Sequence, residues 1–287
     1  MPSSFQTRRF VGDKGIELIA DVGGEPEAPP VLLLHGGGQT RNSWGATMKE
    51  LVGRGYYVIN LDARGHGDSQ WASDGDYTFE TQARDVLCVL DTFSSKPALV
   101  GASMGGATSL ILAGAHQEPL VAALVLVDIV PSIHLPGADR ISAFMNAHLD
   151  GFWTVRDAAD AVAAYNPLRP RPKQTAALMK NLRRRENGRL YWHWDPRLIS
   201  GSGCIEARFE VDRLKRAANH VRIPTLLTRG MLSDVVTDEG VADLLTRIPH
   251  MEVFEVGNAG HMVTGDRNDA FNHGVIDFLN RQFLLSK

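Results

Sequence analysis

The chain is 287 residues long, 44% hydrophobic and 22% charged, enough to bury one large core; its formal charge of −3 and pI near 6.4 argue against nucleic acid or an anionic membrane as the main partner. The first ten residues lack the roughly 7–15 apolar positions of a signal peptide, and no run approaches the ~18 needed to cross a bilayer, so a cytoplasmic location is expected. Cys88 and Cys204 are far apart and a disulfide is not expected; no histidine, cysteine or carboxylate cluster has metal-ligand spacing, so neither metal nor cofactor is expected.

In chain order, Thr7–Val11 and Ile16–Asp21 read as a hairpin about Gly15, and a Pro- and Glu-rich loop leads into the apolar tetrad Val31-Leu32-Leu33-Leu34. Strands then alternate with helical patterns: a helix near Trp44–Arg54, strand Tyr56–Leu61, helix Phe79–Phe93, strand Ala98–Val100, helix Gly105–Ala115, strand Ala123–Val127. After Asp128 this rhythm stops, and 131–218 reads as helices and loops with four prolines between Pro167 and Pro196 and no convincing strand. Strands resume at Ile223 and Met251, separated by a helix over Asp238–Arg247, and a last helix runs from Asp269 to Leu285. The expected fold is α/β: a doubly wound, mostly parallel sheet of about eight strands. Its core comprises 1–130 and 219–287, and 131–218 is inserted as a helical lid.

The densest chemical signal is Gly101-Ala102-Ser103-Met104-Gly105, entered by an apolar strand and left by an alanine-rich helix. Gly-x-Ser-x-Gly with these flanks is a nucleophile elbow, a strained turn in which larger residues two positions either side of the serine collide with neighbouring backbone. Ser103 is the expected nucleophile, at a helix N-terminus that favours developing negative charge. Upstream, His35-Gly36-Gly37-Gly38 follows the buried tetrad. Three residues without Cβ let backbone N–H groups approach a ligand, so the N–H of Gly37, or else Gly38, and that of Met104 form the expected oxyanion hole. His35 is expected to pin this loop rather than act as a base. The run is no phosphate loop, because the Lys-Ser/Thr of a nucleotide site is missing.

These motifs, together with Leu61-Asp62-Ala63-Arg64-Gly65-His66-Gly67-Asp68-Ser69, Arg229-Gly230-Met231-Leu232-Ser233-Asp234 and Gly257-Asn258-Ala259-Gly260-His261, resemble the α/β-hydrolase superfamily over nearly the whole length. The resemblance implies a triad in the order Ser, Asp or Glu, His, and for His66 a structural or pocket-lining role. His261, in a loop just beyond the alternating strand Met251–Val256, is the expected base. For the acid, Asp234 lies past the strand Pro224–Thr228 after a glycine turn and is preferred. Asp128, at the end of Ala123–Val127, and Asp238, at a helix start, are its rivals.

Three of the five tryptophans fall in the lid, and Trp153, Tyr191, Trp192 and Trp194 are candidates for an aromatic substrate pocket, against the plainer reading that they pack the lid on the core. Arg183-Arg184-Arg185 reads as a solvated helix face, with a substrate-carboxylate clamp as the sharper alternative. The residues specify a serine hydrolase cleaving a carboxylic ester or lactone of a small to medium apolar substrate. Alternatives are hydrolysis of a carbon–carbon bond in ring-cleavage dienoates, a cofactor-free perhydrolase or haloperoxidase, which Met104 after the nucleophile weakens, and a non-hydrolytic binder. A small-molecule substrate is the expected partner, with homo-oligomerisation left open.

Overall fold

The tetrad Val31–Leu34 lies at the centre of the molecule. In the computed structural model, which describes residues 5–165, 175–200, 211–263 and 268–284, it belongs to strand β3 (Pro30–Leu34), buried at every position. β1 (Gln6–Val11) pairs antiparallel with β2 (Glu17–Gly23), and β2 antiparallel with β4 (Tyr57–Leu61). From β4 the strands run parallel through β3, β5 (Ala98–Ala102), β6 (Ala123–Val127), β9 (Thr225–Gly230) and β10 (Glu252–Val256), completing an eight-stranded sheet.

Successive strand residues point to opposite faces, so each apolar run feeds two cores. Leu32, Leu34, Leu99, Leu124 and Leu126 cluster with residues of α2 (Phe79–Leu90), α3 (Met104–Ala115), α7 (Val211–His220) and α8 (Asp238–Arg247). Val31, Leu33, Val58, Val100 and Val125 cluster with α1 (Gly45–Gly53) and α9 (Asn268–Leu284). Helices on both faces leave the carboxyl ends of the parallel strands as the free edge, and the segments after β3, β4, β5, β6, β9 and β10 carry every chemically suggestive motif.

The segment between β6 and β9 departs from expectation in two ways. It holds helices α4 (Leu135–Asn146), α5 (Val155–Tyr165) and α6 (Arg197–Ser200), but also an antiparallel pair, β7 (Leu182–Arg184) and β8 (Leu190–Trp192), where no strand is predicted. These strands are three residues long, too short for a hydrophobic run. Their signal is the Asn187-Gly188 turn, with Gly188 at φ +79°. The arginines expected on a helix face therefore sit on and just after a strand. Second, α7 packs directly against α3, so the layer begins before residue 219. The stretches 166–174 and 201–210, with Pro167, Pro170, Pro172 and Cys204, lie outside the described residues. Cys88 is a free thiol. No helix among the described residues is long and apolar enough to cross a membrane.

The α3–α7 contact depends on one missing side chain: a Cβ on Gly114 would lie 2.2 Å from the carbonyl oxygen of Ala217. Gly114→Ala forces the helices apart despite its better helix propensity, and is expected to lower stability by about 1–3 kcal/mol, read as an earlier urea midpoint at unchanged slope. A midpoint at or above the parent's would show that the two helices separate freely.

Candidate active site

Ser103 joins β5 to α3 at φ +46°, ψ −111°, a conformation that costs a non-glycine residue on the order of 1–3 kcal/mol. Its neighbours over-determine it. The Ser103 N–H donates to the Val127 carbonyl at 3.0 Å, and Gly105 N–H to the His35 carbonyl at 3.1 Å. A Cβ on Gly101 would lie 2.4 Å from the Gly105 oxygen, and one on Gly105 2.4 Å from the Leu34 oxygen. The motif's glycines are thus required by backbone packing, as the elbow reading expects.

His261 does not pair with Asp234. Its Nδ1 lies 2.7 Å from Oδ2 of Asp128, the rival candidate at the end of β6. Asp128 adopts φ +49°, which turns its fully buried carboxylate up over the sheet edge. There Oδ1 accepts the Gly230 N–H at 3.0 Å, and Oδ2 accepts the Ser233 hydroxyl at 2.6 Å as well as the His261 N–H. The 229–234 loop does contribute, but through Ser233, whose Oγ also accepts the Val235 and Val236 N–H groups at 3.2 Å each. Asp234 faces outward: Arg140 holds its carboxylate at 2.8 and 3.0 Å, and its carbonyl meets His134 Nδ1 at 3.1 Å. Asp238 pairs with Arg229 at 2.5 Å. The acid beside His261 is therefore Asp128. The physical reason is sheet order, since β6 is the immediate neighbour of β5 and so of Ser103.

Gly36 to Gln39 form a tight turn, with Gln39 N–H donating to the Gly36 carbonyl at 3.1 Å and Gly38 at φ +70°, a position that favours glycine in a type II turn. The Gly38 N–H is occupied, donating to His66 Nε2 at 3.1 Å, which removes Gly38 as the alternative donor. Among the described residues the N–H groups of Gly37 and Met104 have no acceptor.

Beneath this turn three buried histidines serve as hydrogen-bond acceptors. His35 Nε2 accepts the Ala63 N–H at 3.0 Å, and its Nδ1 donates to the Gly36 carbonyl at 2.8 Å. His66 accepts from Gly38 and donates through Nδ1 to the Arg64 carbonyl at 3.1 Å, while His193 Nδ1 accepts the Gly67 N–H at 2.8 Å. An accepting ring nitrogen is unprotonated, so all three are neutral. Burial pushes each pKa below its ordinary value, that of His66 to about 3. Sequence reasoning missed His193, although it lies between Trp192 and Trp194, because the aromatic pattern there carries no signal for a buried hydrogen-bond acceptor. Nearby, Arg64 clamps Asp85 through two bonds of 2.5 and 2.6 Å, both side chains buried. A small cavity of about 20 Å³, room for about one water, is lined by His35, Arg64, Asp85, Met104 and Thr108, with neither Ser103 nor His261 in its wall.

The aromatic pocket candidates separate. Trp153 is 69% exposed under the guanidinium of Arg189, 4.5 Å from the ring centre. Tyr191 points outward on β8, beneath Arg185 and bonded through its hydroxyl to Asn187. Trp192 and Trp194 are buried and stacked on each other at 5.0 Å, within a cluster including Phe144 and Phe152. They pack the insertion, as the plainer reading has it, because alternation along β8 sends Leu190 and Trp192 inward and Tyr191 out. Arg183 is bound to the Asp68 carboxylate at 2.5 Å and the Gly67 carbonyl at 2.9 Å. From the insertion, Met145 reaches the glycine turn, its Cε 3.3 Å from where a Cβ on Gly38 would lie.

A serine in a strained elbow, a histidine oriented by a buried carboxylate at the end of the neighbouring strand, and two N–H groups without an acceptor among the described residues are the parts of a nucleophilic acyl-transfer site on an α/β sheet. The chain belongs to the alpha/beta hydrolase fold family, which it matches over residues 29–267. It is 32% identical over 262 residues to the esterase Rv0045c of Mycobacterium tuberculosis, covering 87% of this chain and 83% of the relative. It is 28% identical to the sn-1-specific diacylglycerol lipase ABHD11 of Mus musculus, covering 97% and 92%. A crystal structure of the M. tuberculosis esterase aligns with a TM-score of 0.75 at 30% identity over 95% of this chain and 92% of that one. E-2-(Acetamidomethylene)succinate hydrolase aligns at 0.84 over 96% and 100%, and its 23% identity speaks to the fold alone.

Proposed function

We propose that this protein hydrolyses carboxylic esters or lactones of small to medium apolar substrates through an acyl-enzyme on Ser103. The observation that carries the reading is the 2.7 Å contact of His261 Nδ1 with buried Asp128 at the sheet edge that presents Ser103. With Nδ1–H held by Asp128, the His261 Nε2 lone pair takes the serine proton as Oγ attacks the carbonyl carbon. The Gly37 and Met104 N–H groups receive the oxyanion, and the imidazolium returns its proton to the leaving alkoxide or, in a lactone, to the ring oxygen. Water, deprotonated by the same histidine, then releases the acid. The ester-hydrolase names of the relatives support this class.

The part of the insertion that carries α4 acts as the lid in this reading, meeting the oxyanion turn through Met145, while α7 belongs to the core layer. Carbon–carbon hydrolysis of a dienoate needs a cation for the substrate carboxylate. Arg64, Arg140 and Arg183 are instead bound to Asp85, Asp234 and Asp68, so these three offer that carboxylate no free cation.

Ser103→Ala is expected to lower turnover of p-nitrophenyl acetate and butyrate by about 10³-fold or more, with small lactones affected in parallel. Equal turnover by parent and variant would remove Ser103 from the mechanism.

A further inference from the structure

Gly36, Gly37 and Gly38 present three consecutive backbone N–H groups, and two are tied down from opposite sides. Gly36 N–H donates to Gln39 Oε1 at 3.1 Å, and Gly38 N–H to His66 Nε2 at 3.1 Å. We propose that Gln39 and His66 are positioning residues that clamp the flanking amides of this turn, so that the Gly37 N–H alone is presented to the oxyanion. The proposal rests on the reading of Ser103 as nucleophile.

The Gln39 side chain is well placed for this. Its own N–H closes the turn on the Gly36 carbonyl, and its Nε2 contacts Met262 Sδ at 3.0 Å, the residue after His261. A Cβ on Gly36 would lie 3.3 Å from Gln39 Oε1 and 3.4 Å from Ser103 Cβ, so Gly36 sits between the amide and the nucleophile. One side chain thus joins the oxyanion turn to the loop that carries the base. His66 is anchored in turn by its Nδ1–H on the Arg64 carbonyl. A glycine run without such clamps samples many backbone states. An oxyanion donor is effective only when preorganised, because a displaced N–H must be reoriented during the reaction.

Gln39→Leu keeps the side-chain bulk and removes the acceptor. With p-nitrophenyl butyrate, kcat is expected to fall about 10- to 100-fold, part of the 10²–10³ that loss of a whole donor costs, with KM within about twofold. His66→Leu should act similarly and His66→Gln, which restores an acceptor, should recover most of the loss. Because the buried His66 variants can fail to fold, the test stands on Gln39→Leu, whose melting temperature should stay within about 3 °C of the parent. An independent readout is amide exchange in ¹⁵N-glycine-labelled protein: slow at Gly36 and Gly38 and fast at Gly37 in the parent, with Gly36 released by Gln39→Leu.

Unchanged kcat in Gln39→Leu, or a raised KM at constant kcat, overturns the proposal, as does equally fast exchange of all three glycines in the parent. Should Ser103→Ala leave hydrolysis intact, the nucleophile reading fails, while the exchange rates still decide whether the clamp exists.

Discussion

Asp128→Asn should lower kcat by about 10⁴-fold, the scale seen when the carboxylate behind a serine–histidine pair becomes an amide, whereas Asp234→Asn should leave it within about twofold. Three donors converge on Asp128: Gly230 N–H on Oδ1, and the Ser233 hydroxyl and His261 Nδ1–H on Oδ2. A carboxylate satisfies all of them, but an amide in either orientation points its NH₂ at one or more. If the NH₂ faces His261, the ring must accept at Nδ1 and carry its proton on Nε2, where it can no longer take one from Ser103. If it faces Gly230, a buried donor meets a donor, at a cost of about 1–3 kcal/mol. Asp234 loses only a half-exposed pairing with Arg140, worth about 0–1 kcal/mol. Burst kinetics with p-nitrophenyl acetate, on variants shown to be folded by circular dichroism, separate the two. A slow Asp234→Asn beside an active Asp128→Asn would return the acid to the 229–234 loop.

This choice shows where the sequence stops being readable. Apolar runs, glycine turns and helical periodicity are local, and they place the sheet strands, α8 and the elbow within a few residues, because each run is buried on two faces or one. Which strand lies beside which is not local. Asp128 and Asp234 both follow a strand; only the order β5, β6, β9 and the positive φ at Asp128 decide which carboxylate turns over the edge toward His261. The choice between Gly37 and Gly38 is of the same kind: what occupies the Gly38 N–H is His66, from a loop nearly thirty residues on. In the insertion, aromatic content was visible but its direction was not. The hairpin register pairs Arg183 with Tyr191 on the outer face and Leu182 with Trp192 on the inner, so adjacent aromatics of the Tyr191-Trp192 pair part company.

The three buried histidines predict that folding stability falls steeply on mild acidification. The folded-state pKa of each is depressed, chiefly by burial, from an ordinary value of 6.5. Asp62 opposes the shift at His35, where Arg41 adds to it; at His66 His35 adds to it and Asp195 opposes; at His193 the neighbouring His66 and His35, and Arg183, all add to it. Above pH 6.5 the rings are neutral both folded and unfolded, and their contribution is fully present. As pH falls below 6.5 the unfolded chain takes up protons that the folded rings exclude, down to about pH 3 for His66. His66 alone then removes up to about 1.4 kcal/mol per pH unit, and His35 and His193 act in the same direction, against a total stability of about 5–15 kcal/mol. The free energy of urea unfolding should therefore be nearly level between pH 8 and 7 and fall by at least about 2 kcal/mol between pH 6 and 4. In His66→Gln the same curve should be shallower by about 1.4 kcal/mol per pH unit, because one proton site is gone and its acceptor is kept. Protonating these rings would also remove the acceptors of the Ala63, Gly38 and Gly67 N–H groups, so unfolding should begin at the oxyanion turn, and activity should be lost before the bulk helical signal. A stability that stays level from pH 7 to 5 would mean that these histidines already accept protons in the folded state, and that their backbone bonds are not what holds the turn.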